Sequence, residues 1–391
     1  MNHLHHMKEN TVGLRGHWYR GGTSKCWLFD AKDVAPFATN REEIRELLAD
    51  AFGAADARQL DGVGGGTSTT SKAAVIWATP GEDADLDYLF AQVGIGDRTV
   101  ELGSNCGNCA TAIALFAVQT GIVPAADGLT RVRMRNLNTG AVLSGTVPTP
   151  GGTVPKSGLA RVPGSSAVGV PVSLSFHGPW GRSTGAVLPT DAPADSIDLG
   201  PRSVAATLVD AGAPAVLIPA DEAGVDLSDM TGNLGVQLGT LVAARAAAGL
   251  MMGLRKPTDP PQNAVPKVGV VDEPGDYTAA DGTLVTADSH DLRVRMLSML
   301  APHPAIGLTS AVAVSLAAAL PGSVPAGLLR HTPELAPGTS RLLRIGTPAG
   351  VVTTEVVAGD DGSITEVALH RAARHLATAD IDVARSSGIS A

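Results

Sequence analysis

One internal match constrains this chain more than any single motif. Gly121-Ile122-Val123-Pro124 lies over Gly322-Ser323-Val324-Pro325 at an offset of 201 residues, Pro124 to Pro325. The segments ahead of it fall into the same register, with Ala112 over Ala313, Ile113 over Val314, Ala117 over Ala318 and Cys109 over Ser310. A fainter match sets Lys25-Cys26-Trp27-Leu28-Phe29-Asp30 over Pro214-Ala215-Val216-Leu217-Ile218-Pro219, 189 residues on. Either alanine-rich helices align by accident, or the chain is two domains of like topology. In the second case each domain has a central helix whose start follows a glycine-containing loop, and 391 residues give room for both. A helix N-terminus presents free N–H groups and partial positive charge. Two such starts at one cleft, residues 106–109 and 307–310, would suit a di- or tricarboxylate.

Composition narrows the class. A chain 44% hydrophobic and only 17% charged is not disordered, and 46 glycines with 26 prolines favour many tight turns over a helix bundle. Aromatics are 3%, so Ala, Val, Leu and Ile must fill the core. With 29 basic against 38 acidic residues the net charge is -9, which argues against nucleic acid or an anionic membrane as partner and favours a small molecule. A homo-oligomer is compatible with the sequence. Three cysteines, all in the first third, exclude a disulfide framework and suit a reduced, cytoplasmic setting. Residues 1–7 lack an apolar run and read as a floppy, histidine-containing end rather than a signal peptide or metal site. The apolar stretches at 241–254 and 305–320 are too short and too interrupted to span a bilayer, so a soluble protein is expected.

The apolar period predicts an amphipathic helix at 41–52 ending on Gly53, and short strands at 131–135 and 141–147 around the turn Asn138-Thr139-Gly140. It further predicts a helix at 105–119 entered from Gly103-Ser104, a buried strand at 216–218, a long small-residue helix at 234–254 and a strand at 268–271. Residues 204–210 fit a helix or an extended run. The domain boundary is expected near 181–191, between the Pro179-Trp180 turn and Pro193. This gives residues 1–185 and 186–391, with the tail after about 364 packed back on the first domain.

Residues 61–72, DGVGGGTSTTSK, are the densest anomaly. A phosphate loop fails because Lys72 follows Ser71 and precedes Ala73, and a dinucleotide fingerprint fails because Thr67 stands where glycine is required. What remains is a flexible, hydroxyl-rich loop delivering Lys72 to the mouth of an apolar strand. Partial desolvation there would lower its pKa toward that of a general base; the plainer alternative is a surface lysine. Asn105-Cys106-Gly107-Asn108 joins a thiol and two carboxamides at a helix start, where a cysteine's pKa is depressed. Cys109, one turn on, reads as a buried small hydrophobe. Residues 110–391 hold no cysteine, so no thiol from the second half can oppose Cys106. Arg20-Gly21-Gly22-Thr23-Ser24-Lys25 can bind carboxylates through N–H groups and hydroxyls, or be a mere turn. His303, between two prolines, is a cleft residue or a solvated one.

Together these segments resemble the PrpF family of cofactor-independent isomerases, which share the diaminopimelate epimerase-like fold. RGGTSK at 20–25, D-G-x-G-G-x-x-S-T-T-S-K at 61–72 and NCGN at 105–108 stand in the family's order, and Leu208-Val209-Asp210-Ala211, Ser298-Met299, His303, Leu308-Thr309 and the segment from Arg371 to Leu376 continue the match over about residues 14–380. Cys26, Cys109, Ala110, His370 and His375 depart from the usual family residues. The resemblance implies an α+β protein of two pseudo-symmetric domains, each a sheet wrapped around a central helix. It implies a shift of a C=C bond within an unsaturated di- or tricarboxylate by allylic 1,3-proton transfer, with no cofactor and no metal. Lys72 would be general acid/base and Cys106 its assistant, while Ser24, Thr23, Ser68, Asn105, Gly107, Asn108, His303, Thr309 and Ser310 would bind substrate. The alternatives are an amino-acid or hydroxyacid epimerase or racemase, and a non-catalytic carboxylate-binding protein on the same fold.

Overall fold

The computed structural model describes residues 11–385 apart from 82, 104, 179, 200, 201, 260–262 and 331–334. The histidine-containing residues 1–7, Ser104 and Pro179, which carried expectations above, lie outside the described residues. The chain divides into two compact units: residues 1–161, 167–174 and 371–391 form one, and residues 162–166 and 175–370 the other.

In the first unit the strands are β1 (Thr11–Gly21), β2 (Ser24–Asp30), β3 (Lys72–Ala78), β4 (Leu86–Val93), β5 (Val100–Glu101), β6 (Gly128–Asn136), β7 (Val142–Thr149), β8 (Ala160–Val162) and β9 (Ser165–His177). The helices are α1 (Ala31–Val34), α2 (Arg41–Phe52) and α3 (Gly107–Gln119). The second unit adds β10 (Asp195–Asp198), β11 (Ser203–Ala211), β12 (Ala213–Pro219), β13 (Lys267–Asp272), β14 (Tyr277–Thr278), β15 (Leu284–Val285), β16 (Leu292–Ser298), β17 (Ala301–Pro302), β18 (Ser340–Thr347), β19 (Gly350–Ala358) and the start of β20 (Ile364–Ala384). Its helices are α4 (Ala220–Ala223), α5 (Gln237–Met251), α6 (Leu308–Ala318) and α7 (Val324–Gly327).

The repeat is a repeat of topology. In the first unit β1–β2 is antiparallel, β2–β3 parallel, β3–β4 antiparallel, β4–β6 parallel and β6–β7 antiparallel. In the second, β11–β12, β12–β13, β13–β16, β16–β18 and β18–β19 follow the same alternation. The segments matched at offset 189 are β2 and β12, and those matched at offset 201 end α3 and α6. Each unit even carries the same clasp. Arg133 donates its backbone N–H and guanidinium to Asp85 in one, and Arg344 does so to Asp291 in the other.

Each sheet curls around its helix. In the first unit β9 pairs with both β7 and β20, and β20 from Ala373 to Ala384 pairs with β1, so the strands return to their start around α3. Residues 109–118 of α3 are buried all round, as a helix enclosed by sheet requires. In the second unit Gly178 N–H bonds to Thr365 O and Trp180 bridges to Ala211 on β11, with α6 buried from Ser310 to Ala318. The outer faces hold a second layer. Ile44, Leu47, Leu48 and Phe52 of α2 cover Trp27, Phe29, Ala73, Val75 and Leu89, while Leu241, Ala244 and Ala248 of α5 cover Val216, Ile218, Val268 and Val270. Strand side chains alternate between faces, so Ser24, Cys26, Lys72 and Gln92 fall on the inner side, toward α3.

Where the sequence left 204–210 open, the chain is the strand β11. The expected helix at 234–254 is shorter, because Gly235 takes a left-handed φ of 53° and α5 starts only at Gln237. Among the described residues no helix is long and apolar enough to cross a membrane.

Candidate active site

The first unit gathers its chemistry at the start of α3. Cys106 occupies the N-cap position in extended conformation and offers the helix no capping side-chain bond, leaving the N–H groups of the first turn unsatisfied by that route. Close approach explains the two glycines of the 20–25 loop. A Cβ on Gly21 would lie 1.9 Å from Asn108 O, and one on Gly22 2.1 Å from Asn108 Oδ1, with Gly22 at φ 53° besides. The loop and the helix start fit only because both positions lack a side chain. Asn108 then ties the parts together: Nδ2 donates to Ser24 Oγ at 3.1 Å and Thr23 Oγ1 at 3.2 Å, and Oδ1 accepts from Arg371 Nη2 at 2.7 Å.

Asn105 is oriented by a chain of bonds. Asn136 Oδ1 accepts from the N–H groups of Asn138 and Thr139, so its Nδ2 is the donor to Asn105 Oδ1 at 3.0 Å. The hydroxyl of the fully buried Tyr88 donates to the same oxygen at 2.9 Å. The Asn105 Nδ2 group is thereby left as a donor without an acceptor among the described residues.

Lys72 begins β3 opposite Gln92. Its Nζ donates to Gln92 Oε1 at 2.5 Å and lies 5.3 Å from the centre of the Phe90 ring. Gln92 Nε2 is itself held by Ser71 O at 2.9 Å and, more weakly, by Ser68 O at 3.4 Å. The loop before Lys72, expected to be flexible, is anchored instead. Buried Gln59 donates to Ser71 Oγ at 2.8 Å and to Gly94 O at 3.1 Å and accepts from Gly66 N–H, while Lys25 N–H bonds to Thr69 O. Ser68 is exposed on that loop.

Cys106 differs from expectation. A hydrogen bond with Cys109, burial, and the neighbouring Cys109 charge push its thiol well up, against the opposing pull of Lys72 and of the Cys109 N–H. The N-terminal dipole is outweighed because the sulfur turns toward a second thiol. Cys109 is pushed up by burial and is hydrogen-bonded to Cys106 and Cys26, so all three cysteines stand in one row. Burial, then the repulsion of Arg20, lowers the Arg371 guanidinium to about 10, though Cys106 favours its charge. Arg20 spends its own donors on Gly22 O and Val168 O, both at 2.9 Å.

Of the residues singled out by sequence, Thr23, Ser24, Asn105, Cys106, Gly107 and Asn108 meet around the start of α3. His303, Thr309 and Ser310 belong to the second unit, where Gly307 caps α6, Ser310 is buried, and His303 Nδ1 accepts from Ala305 N–H at 3.0 Å. Gln59, Gln92, Tyr88, Asn136 and Arg371 were missed. Two left a trace in the sequence: Gln92 as the lone polar side chain near the end of the apolar run of β4, and Arg371 as the first residue of the terminal segment of the family match, with no role read from it. Among the described residues no group of three or more His, Cys, Asp or Glu is placed to hold a metal.

A sheet wrapped around a central helix in each unit, with a lysine and a thiol at the first helix start, defines an α+β isomerase of the diaminopimelate epimerase-like fold class. The chain belongs to the PrpF family, whose family model, described as PrpF protein, matches residues 13–384. It is 30% identical over 364 residues to the 3-methylitaconate isomerase of Eubacterium barkeri, covering 91% of this chain and 93% of that one. With the (4E)-oxalomesaconate Delta-isomerase of Novosphingobium sp. (strain KA1) it shares 34% identity over 363 residues, 92% of this chain and 94% of the relative. The crystal structure of a methylitaconate-delta-isomerase superposes with a TM-score of 0.86 at 29% identity, covering 98% and 99% of the two chains. The protein is accordingly an isomerase.

Proposed function

We propose that this isomerase shifts a C=C bond within an unsaturated di- or tricarboxylate by allylic 1,3-proton transfer. The observation that carries the reading is the charge around Cys106. Lys72 pulls on the thiol as a cation, and Cys106 in turn favours the charge of the Arg371 guanidinium, so two cations stand near it. Such a place favours a substrate that brings its own negative charge. The relatives named for methylitaconate and oxalomesaconate support the same substrate class.

In the reaction an allylic C–H gives its proton to a base, and the electron pair spreads over the diene and the adjoining carboxylate. A proton then returns to the carbon two atoms away. Lys72 is the proton carrier, held by Gln92 beside the thiol. Cys106, pushed up and therefore protonated at neutral pH, suits the donor of a second proton better than a nucleophile. Asn105 Nδ2 and the N–H groups of the first turn of α3 stabilise the carboxylate as charge moves into it. An epimerase that opposes Cys106 with a thiol from residues 110–391 has none to use, since the last cysteine is Cys109.

Incubation with methylitaconate, methylaconitate, oxalomesaconate and aconitate in deuterated water tests the reading. We expect a change in enoate absorbance with deuterium at the new C–H position, undiminished after exhaustive chelation. Binding without exchange would leave a carboxylate-binding protein, and exchange with inversion at one carbon would make it an epimerase.

A further inference from the structure

The second unit holds a group of donor side chains that its fold leaves only partly bonded. Arg245 of α5 is only 2% exposed, yet its sole bond runs from Nη1 to Met299 O at 2.7 Å, and its Nε and Nη2 have no hydrogen-bond partner. Gly249, one turn along the same helix face, would place a Cβ 3.4 Å from Pro266, so this face of α5 is seated against the residue before Lys267. Lys267 opens β13 two residues before Gly269, which pairs with Met296 on β16. The β16–β17 hairpin carries Met299 at its tip and leads into His303, whose N–H bonds to Met296 O. Helix, strand start and hairpin thus bring Arg245, Lys267 and His303 to one locality. Burial and then Arg245 hold the Lys267 ammonium down, and burial and Lys267 hold His303 down.

Two features give this cluster chemical meaning. No carboxylate is paired with Arg245 or Lys267 among the described residues, although leaving a buried guanidinium unpaired costs several kcal/mol, by rough estimate. And every free group is a donor. His303 Nδ1 accepts the Ala305 N–H, so the neutral ring carries its proton on Nε2. Nε and Nη2 of Arg245, Nζ of Lys267 and Nε2 of His303 are donors awaiting an acceptor, and two of the three side chains are cations.

We propose that Arg245, Lys267 and His303 form a preformed pocket within the second unit for a carboxylate ligand, and the assignment of that ligand to the di- or tricarboxylate class rests on the reading above. A planar guanidinium edge with two free N–H groups suits a carboxylate in bidentate contact, with the ammonium and imidazole as further donors.

Calorimetric titration of the whole enzyme with tricarballylate, a saturated tricarboxylate that cannot isomerise, tests the pocket, with inorganic phosphate as the second probe. We expect Arg245→Met and Lys267→Gln each to weaken tricarballylate binding at least about tenfold. Ligand-free Arg245→Met should melt no lower than the wild type, because it removes an unpaired buried charge. Lys267→Gln, which breaks no bond in the fold, decides the matter should Arg245→Met fail to fold. Undiminished binding in Lys267→Gln, or in a folded Arg245→Met, overturns the pocket while leaving the substrate class intact. Arg245-dependent binding of phosphate in preference to tricarballylate overturns the carboxylate assignment. A wild type that neither binds nor turns over any di- or tricarboxylate overturns both the pocket and the function it rests on.

Discussion

Arg371 donates its Nη2 to Asn108 Oδ1 at 2.7 Å across 263 residues of sequence, and the same carboxamide donates to Ser24 and Thr23. The last strand of the chain thereby orients the residue that joins the start of α3 to the 20–25 loop. Arg371→Met should lower kcat/KM by about tenfold or more, as expected for a lost charge-assisted bond and a released carboxamide. Arg371→Lys should recover little, since an ammonium cannot span the same geometry. Steady-state kinetics with a melting curve for each variant would check both; full activity in Arg371→Met would remove Arg371 from any positioning role.

Lys72→Ala should cost the ~10²–10⁴-fold typical of a positioned acid–base group, and Lys72→Arg should fail to restore it because a guanidinium stays protonated. Gln92→Leu should be milder and should act through the placement of Lys72, whose Nζ it holds. Single-turnover rates in the three variants separate these cases. Near-normal turnover without Lys72 would transfer the chemistry to Cys106.

The Cys106 thiol is pushed up first by its bond with Cys109. Iodoacetamide should therefore modify it slowly at pH 8 and faster as pH rises. Cys109→Ala removes the leading cause, so it should increase the alkylation rate at pH 8 several-fold, about tenfold for each unit of pKa regained. Peptide mapping against time reads the effect, and equal rates in both proteins would refute the coupling.

Gly21→Ala should unfold the helix start or displace it, because its Cβ would sit 1.9 Å from the backbone oxygen of Asn108. A loss of about 1–3 kcal/mol is expected from overpacking against backbone, together with loss of activity. Gly13→Ala, where a Cβ meets nothing within 4 Å on the same strand, is the matched control. Chemical denaturation would distinguish them.

His17, His290 and His303 all have pKa values lowered, each first by burial. The unfolded chain then binds more protons than the native one as pH falls below about 6.5, so stability is retained above that value and lost as acidity rises toward the native pKa values. Melting temperature should fall between pH 7 and pH 5, and His290→Phe should flatten the slope. A flat profile in the wild type would contradict the burial of these rings.

Sequence by itself carried the features whose physics is local. Glycines at 21, 22 and 121, the NCGN helix start, the lysine closing the 61–72 loop and the paired alanine-rich helices are set by backbone conformation and short-range patterning. The duplicated topology was therefore legible from two short matches, and so were the residues crowded at the start of α3. Tertiary structure alone decided which distant side chains complete that site. Gln92 meets Lys72 through strand pairing and Arg371 reaches Asn108 from 263 residues away; in the second unit, separately, Arg245 and Lys267 become neighbours only when α5 seats on the start of β13. It also reversed the reading of Cys106. Helix position by itself lowers a thiol's pKa, but the sulfur's neighbour in space, the buried Cys109, raises it further than the dipole can offset. Burial and the identity of the neighbouring charge belong to the folded chain, and no spacing along the sequence records them.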